Sequence, residues 1–210
     1  MGLVPIVAPL LVIRPLPVHL PPTTQIAAIL LASGNAVDPL PESVRGLPVL
    51  AVGAATMRRA LSAGFTEVAS ADGDAASLAT LVRERFKPGD GTLLLAAGRG
   101  QSLALAAGLR ASGYRVARRA VYAAEPVAML PERASTALLS DRALAVLFFS
   151  AETARCFVRL VREAGLVDRL GGCDAITIGA QSGMALKELR WARVIVARKP
   201  TQDEMLALLR

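Results

Sequence analysis

Short apolar runs alternate along this chain with stretches in which apolar residues recur every three or four positions. The first kind reads as buried strand and the second as amphipathic helix. The pattern predicts strands at Pro5–Ile13, Ile26–Ala32, Pro48–Val52, Glu67–Ser70, Thr92–Ala96, Arg115–Tyr122, Leu144–Phe149, Asp174–Ile178 and Arg193–Ala197. It predicts helices at Thr56–Ala63, Ala75–Phe86, Ser102–Ala111, Thr153–Ala164, Ser182–Leu189 and Gln202–Leu209. Strands that alternate with helices argue for an α/β fold with mostly parallel sheets. The punctuation agrees: Gly64, Gly113 and Gly165 stand where helices should end, and Asp74 and Thr201 where they should begin.

An internal echo divides the chain. Val52-Gly53-Ala54-Ala55-Thr56 is answered by Ile178-Gly179-Ala180-Gln181-Ser182, 126 positions later. Ile29-Leu30-Leu31-Ala32-Ser33 is answered by Val146-Leu147-Phe148-Phe149-Ser150 at an offset of 117. Each half thus reads strand, Ser, helix, strand, Gly-Ala-X-Thr/Ser, helix, strand, helix, as expected of two related domains. Proline-bearing stretches at Arg14-Pro15-Leu16-Pro17 and Ala123-Ala124-Glu125-Pro126 are the expected connectors. They delimit one continuous domain over residues 15–125 and one assembled from 1–14 plus 126–210. A cleft between domains so joined is the expected ligand site.

Composition narrows the chemistry. Of 210 residues 53% are hydrophobic, enough for a core, and the mean hydropathy is +0.47. No apolar stretch runs long enough without proline or polar interruption to span a bilayer, so no membrane partner is expected. One His (His19) and two Cys (Cys156 and Cys173) are too few and too scattered for a zinc centre or a histidine-based nucleophile. The cysteines sit in apolar surroundings and read as reduced core thiols of a cytoplasmic protein. The net charge of +7, carried mostly by arginine, suits an anionic ligand. It comes without a basic run, an aromatic platform or a recognition motif, so nucleic acid is not the expected partner.

The candidate site residues follow. Ser33, Thr56, Ser150 and Ser182 each stand where a strand gives way to a helix, where backbone N–H groups and the helix dipole favour an anion. Capping of the helix is the competing role for each. Gly98-Arg99-Gly100 after a strand resembles a phosphate or carboxylate cradle, though it is neither a Walker loop nor a dinucleotide fingerprint. Tyr122 ends a strand at the second connector, placed to donate a proton or simply to pack. Arg58-Arg59 and Arg118-Arg119 read as solvated faces.

These residues also carry a family pattern. Ala51–Thr56, Ala63-Gly64-Phe65, Asp72-Gly73-Asp74 and Leu78 resemble a first signature of the uroporphyrinogen-III synthase family. Leu95–Arg99, Gly113–Val116 and Ala120-Val121-Tyr122 resemble a second, and Val146–Ser150 with Ala154 and Phe157 a third. Ile178–Ser182, Ala192-Arg193-Val194, Ala197 and Pro200 resemble the last. The resemblance implies two flavodoxin-like parallel-sheet domains joined by two connectors, and an enzyme that needs no cofactor or metal. Its substrate would be hydroxymethylbilane, a polycarboxylate, cyclised to uroporphyrinogen III with loss of water and inversion of the last pyrrole. Thr56, Ser150 and Ser182 then match substrate-binding positions, and Tyr122 matches the tyrosine proposed as general acid. The upstream deaminase is a candidate partner. The resemblance also implies a strand, an Arg-Pro turn and a helix ahead of the strand near Pro5, which this sequence lacks. An open edge strand and an uncovered apolar sheet face are therefore expected in the split domain. A non-catalytic two-domain protein that binds anions or tetrapyrroles is the alternative reading.

Overall fold

The computed structural model describes residues 2–140 and 142–209. The chain divides into two compact units, residues 13–124 and residues 1–12 with 125–210. In chain order, β1 (Leu11–Pro15), β2 (Ile26–Leu31), β3 (Val49–Ala51), α1 (Ala54–Ser62), β4 (Val68–Ser70), α2 (Ala75–Arg85), β5 (Thr92–Gly98), α3 (Leu103–Ala111) and β6 (Arg115–Pro126) come first. The remainder is α4 (Glu132–Leu139), β7 (Ala145–Phe148), α5 (Ala151–Glu163), β8 (Asp174–Thr177), α6 (Ala180–Leu186), β9 (Arg193–Val196) and α7 (Gln202–Ala207).

The larger sheet runs β1-β6-β5-β2-β3-β4, with β2, β3, β4, β5 and β6 parallel to their neighbours. Its central strand β2 is apolar at every position because both of its faces are covered. Ile29 and Leu31 join Val44, Ala60 and Phe65 on one side, where α1 packs. Ala28 and Leu30 join Leu78, Val82, Leu105 and Leu109 on the other, under α2 and α3.

In the second unit β7, β8 and β9 form a parallel sheet of three strands. One face packs on α5, whose Ala154, Phe157, Leu160 and Val161 are buried. Phe148 sits edge-on to Phe157 and Trp191, with ring centroids 5.2 and 5.9 Å apart, a geometry that aromatic rings favour. The opposite face is thinner: Ile176, Ala197 and Met205 are its buried residues. Val194 and Val196 on the edge strand β9 remain exposed.

Several boundaries differ from the sequence reading. The first strand starts at Leu11 rather than Pro5, because Pro5 and Pro9 interrupt ladder pairing ahead of it. The stretch Ala123–Pro126 is the end of β6, not an irregular connector; its proline is the terminal residue, where little pairing is lost. Ser33 is followed not by an α-helix but by two single turns of 3₁₀ helix, at Gly34–Ala36 and Glu42–Val44. Gly34, Pro39 and Pro41 account for that. The eight-residue α4, entered directly from Pro131, is a helix that the sequence reading did not include. The expected caps are in place: Asp74 accepts from the N–H groups of Ala76 and Ser77, and Thr201 from Glu204. Gly64, Gly113 and Gly165 take the left-handed backbone at helix ends.

Candidate functional site

The register of the larger sheet sets Leu31 of β2 opposite both Ala51 of β3 and Ala96 of β5. Three strands therefore release their chains along one edge, through Ser33-Gly34, Gly53–Thr56 and Gly98-Arg99. Strand order reverses beside β2, since β3 and β4 build outward on one side and β5 and β6 on the other. Such a reversal at the carboxyl ends of parallel strands leaves a crevice suited to ligands.

Ser33 is half-buried, and its Oγ accepts a 3.3 Å hydrogen bond from Asn35 N–H, capping a single 3₁₀ turn. Thr56 is not a cap. It is the third residue of α1, is 7% exposed, and follows the cap residue Gly53, which has no side chain to satisfy the helix. The first N–H groups of α1 have no acceptor within the helix itself. Gly34 lies against this helix: a β-carbon there would be 3.3 Å from Arg59 Cδ and 3.9 Å from Thr56 Oγ1. Arg59 pins the Ser33 turn by pairing with Asp38 and reaching Asn35 Oδ1 at 3.4 Å. Its guanidinium is held in the charged form chiefly by the hydrogen bond to Asp38. Arg59 is therefore a solvated residue with a structural task.

The Gly98 turn is built more tightly. Gly98 pairs with Tyr122 across β5 and β6, and Arg99 N–H donates to Tyr122 O at 2.8 Å. A β-carbon on Gly98 would sit 2.7 Å from Gln101 Oε1 and 2.8 Å from Tyr122 Cζ, so only glycine fits without displacement. Tyr122 does not end its strand as expected. It lies within β6, 2% exposed, and its Oη donates to Gln101 Oε1 at 2.8 Å. Arg118 donates to Gln101 O at 2.7 Å and to Gly98 O at 2.9 Å, while Arg119 donates to His19 O at 2.8 Å. Both are half-buried and brace loops; they do not form the open cationic face the sequence suggested. Arg99 itself is exposed.

In the second unit Ser150 and Ser182 follow β7 and β8, neighbours whose register sets Phe148 opposite Thr177. Ser150 caps α5: its Oγ accepts from Thr153 N–H at 3.1 Å and shares a 2.8 Å hydrogen bond with Thr153 Oγ1. Ser182, 3% exposed, is the third residue of α6 behind Gly179, the same place that Thr56 holds in α1. Gly53 and Gly179 are both extended, and a β-carbon on either would meet nothing within 4 Å. Neither backbone strain nor packing requires glycine at these two positions.

Gln101 and Thr177 escaped the sequence reading, as did the bracing role of Arg118. Thr177 is fully buried and its Oγ1 lies 3.4 Å from Gly179 O and from Ile195 O, supporting the turn into α6. No motif announces such residues, since Arg118 and Thr177 act by holding backbone carbonyls and Gln101 by accepting from a distant phenol. Cys156 and Cys173 are buried thiols outside any disulfide, donating to Leu10 O at 3.4 Å and Ala143 O at 2.7 Å. Burial pushes the Cys156 thiol up, away from the reactive thiolate. A groove of about 880 Å³ beside α5 and α6 is lined by Arg155, Arg159 and Arg162, each in an ion pair with Glu152, Glu163 or Glu188. Among the described residues no three His, Cys, Asp or Glu gather as a metal site, and no helix is long and apolar enough to cross a membrane.

The family model described as "Uroporphyrinogen-III synthase HemD" matches residues 1–207. The fold is similar to the crystal structure of uroporphyrinogen-III synthetase from Helicobacter pylori, with a TM-score of 0.68 at 18% identity over 95% of this chain and 89% of that one. It is also similar to a mutant uroporphyrinogen III synthase from the extremely thermophilic bacterium Thermus thermophilus, with a TM-score of 0.53 at 23% identity over 95% of this chain and 85% of that one. No curated protein sequence matches significantly.

Proposed function

This chain belongs to the uroporphyrinogen-III synthase family, and from that premise we propose that the carboxyl-end strand edges of its two units hold and turn over the substrate. The protein is a cofactor-independent cyclising lyase of tetrapyrrole biosynthesis. It converts hydroxymethylbilane into uroporphyrinogen III, expelling water and inverting ring D through a spiro intermediate.

The observation that carries the site assignment is the edge shared by Ser33, Thr56, Gly98 and Arg99, with Tyr122 paired to Gly98 and its carbonyl accepting from Arg99 N–H. The substrate presents eight carboxylates. Uncapped N–H groups at the start of α1, the Ser33 and Thr56 hydroxyls and the exposed Arg99 guanidinium are donors of the kind that carboxylates need. Ser150 and Ser182 supply the matching hydroxyls of the second unit. Tyr122 is the proposed general acid: its phenolic proton passes to the departing hydroxyl, the C–O bond breaks with its electron pair going to oxygen, and water leaves. The azafulvenium cation left beside the phenolate becomes the neutral azafulvene as the pyrrole N–H proton is lost. Most of the catalysis is conformational, since the enzyme must hold a reactive chain in the shape that closes with inversion. The proposed setting is the cytoplasm, where the deaminase that makes hydroxymethylbilane is the supplying partner.

Two substitutions test the assignment. Tyr122→Phe should lower kcat by about 100-fold, the scale of a lost general acid, with KM little changed. Arg99→Ala should raise KM and leave kcat nearly intact, as for a group that binds ground and transition states alike. Wild-type kinetics in both folded variants would remove the assignment.

A further inference from the structure

We infer that Gln101 is the positioning residue of this site, setting the place of the Tyr122 hydroxyl and controlling when its proton is released. The inference rests on the reading of Tyr122 as the acid. A phenol buried among Leu94, Ala96 and Val121 needs a hydrogen-bond partner, because an unsatisfied hydroxyl in such surroundings is costly. One protein atom fills that role among the described residues: Gln101 Oε1, at 2.8 Å. While that bond stands, the phenolic proton is committed to the amide. Transfer to substrate requires the amide to give way, because Tyr122 is fixed in the middle of β6.

The turn that carries Gln101 is built for such an exchange. Gln101 is exposed although its Oε1 reaches the buried hydroxyl, so the amide spans the boundary between core and solvent. Gly100 and Ser102 on either side adopt positive φ angles of 74° and 57°, the second unfavourable for a residue with a side chain. The Arg118 guanidinium holds the turn at both ends, through Gly98 O and Gln101 O. Gly98 leaves the space in which the amide and the phenol ring meet. With Oε1 taken by Tyr122, the two Nε2 protons have no protein acceptor among the described residues. They suit a carboxylate, the group that the substrate carries eight times. A carboxylate drawn to Nε2 would pull the amide from the phenol, so that arrival of substrate frees the proton.

The test is a double-mutant cycle in the isomer-forming assay with Gln101→Met, which keeps side-chain length on an exposed turn and removes the amide. Gln101→Met should lower kcat by about 10-fold with KM changed less than about 2-fold, and should cost nothing further in the Tyr122→Phe background. Gln101→Glu, which keeps an acceptor oxygen at the same reach, should restore the position of the phenol. The chain has two tyrosines, so ¹³Cζ-labelled tyrosine gives two NMR signals, and Gln101→Met should displace one of them while Gln101→Glu leaves it nearer its original place. Losses that multiply in the double variant, or unchanged turnover in Gln101→Met beside a slowed Tyr122→Phe, would overturn the role of Gln101 alone. Wild-type turnover in Tyr122→Phe would remove the acid reading and this inference with it.

Discussion

A β-carbon on Gly98 would lie 2.8 Å from Tyr122 Cζ, well inside van der Waals contact, so the glycine and the tyrosine ring occupy one shared space. The ring cannot retreat, because Tyr122 is buried in the core beside β5. Gly98→Ala should therefore expel the Gln101 side chain or tilt the ring. The expected cost is about 1–3 kcal/mol, the usual range for overpacking. Thermal denaturation should show that loss, and turnover should fall together with it. An alanine variant of native stability and activity would contradict the geometry.

The four candidate hydroxyls divide into two kinds, Ser33 and Ser150 as caps and Thr56 and Ser182 within the first turn of their helices. Ser150 satisfies a helix N–H, so Ser150→Ala should destabilise the protein by about 1 kcal/mol, whatever its part in binding. Thr56 and Ser182 stand inside the first turn of their helices and cap nothing, so Thr56→Val and Ser182→Ala should act mainly on substrate affinity. Melting curves paired with KM values for the three variants separate these roles. A stability loss in Ser182→Ala as large as that in Ser150→Ala would refute the distinction.

The cap of α2 makes stability depend on pH. Hydrogen bonds from the Ser77 and Ala76 N–H groups hold the Asp74 carboxyl below its ordinary range. A depressed folded-state pKa adds stability that is fully present above the unfolded value, near about 3.9, and disappears as pH falls through the folded one. Asp174 behaves alike, its carboxyl lowered chiefly by the hydrogen bond from Arg193 across β8 and β9. Stability should thus decline on acidification below about pH 4. Asp74→Asn, which preserves a capping oxygen without a titrating group, should flatten part of that decline. An acid limb unchanged in the variant would show that Asp74 carries none of it.

Periodicity made the alternation of strand and helix legible, because each element buries a face and must repeat its apolar residues to do so. The runs at β2 and β5 were unambiguous for that reason. Local chemistry was legible wherever one residue does one job, as at Asp74, Thr201 and Gly165. The readings that failed concern residues whose task is set by distant neighbours. Ser33 looked like the start of a helix, but Gly34, Pro39 and Pro41 allow only short turns. Thr56 and Ser182 looked like caps, yet the preceding glycines place them inside the first turn. Tyr122 read as the end of a strand that in fact runs on to Pro126. Gln101 carries no pattern at all, since its partner is a phenol 21 positions away, and Arg118 reads as part of a solvated face because the carbonyls it holds lie up to 20 positions away.

The central claim is that this chain directs ring closure to the inverted isomer. Hydroxymethylbilane generated in situ by its deaminase should be supplied to the purified protein, and the oxidised products separated chromatographically. The account predicts uroporphyrin III well in excess of the isomer I that forms spontaneously. Isomer I alone, from protein that melts cooperatively and binds the linear tetrapyrrole, would contradict it and leave a binding protein without the synthase reaction.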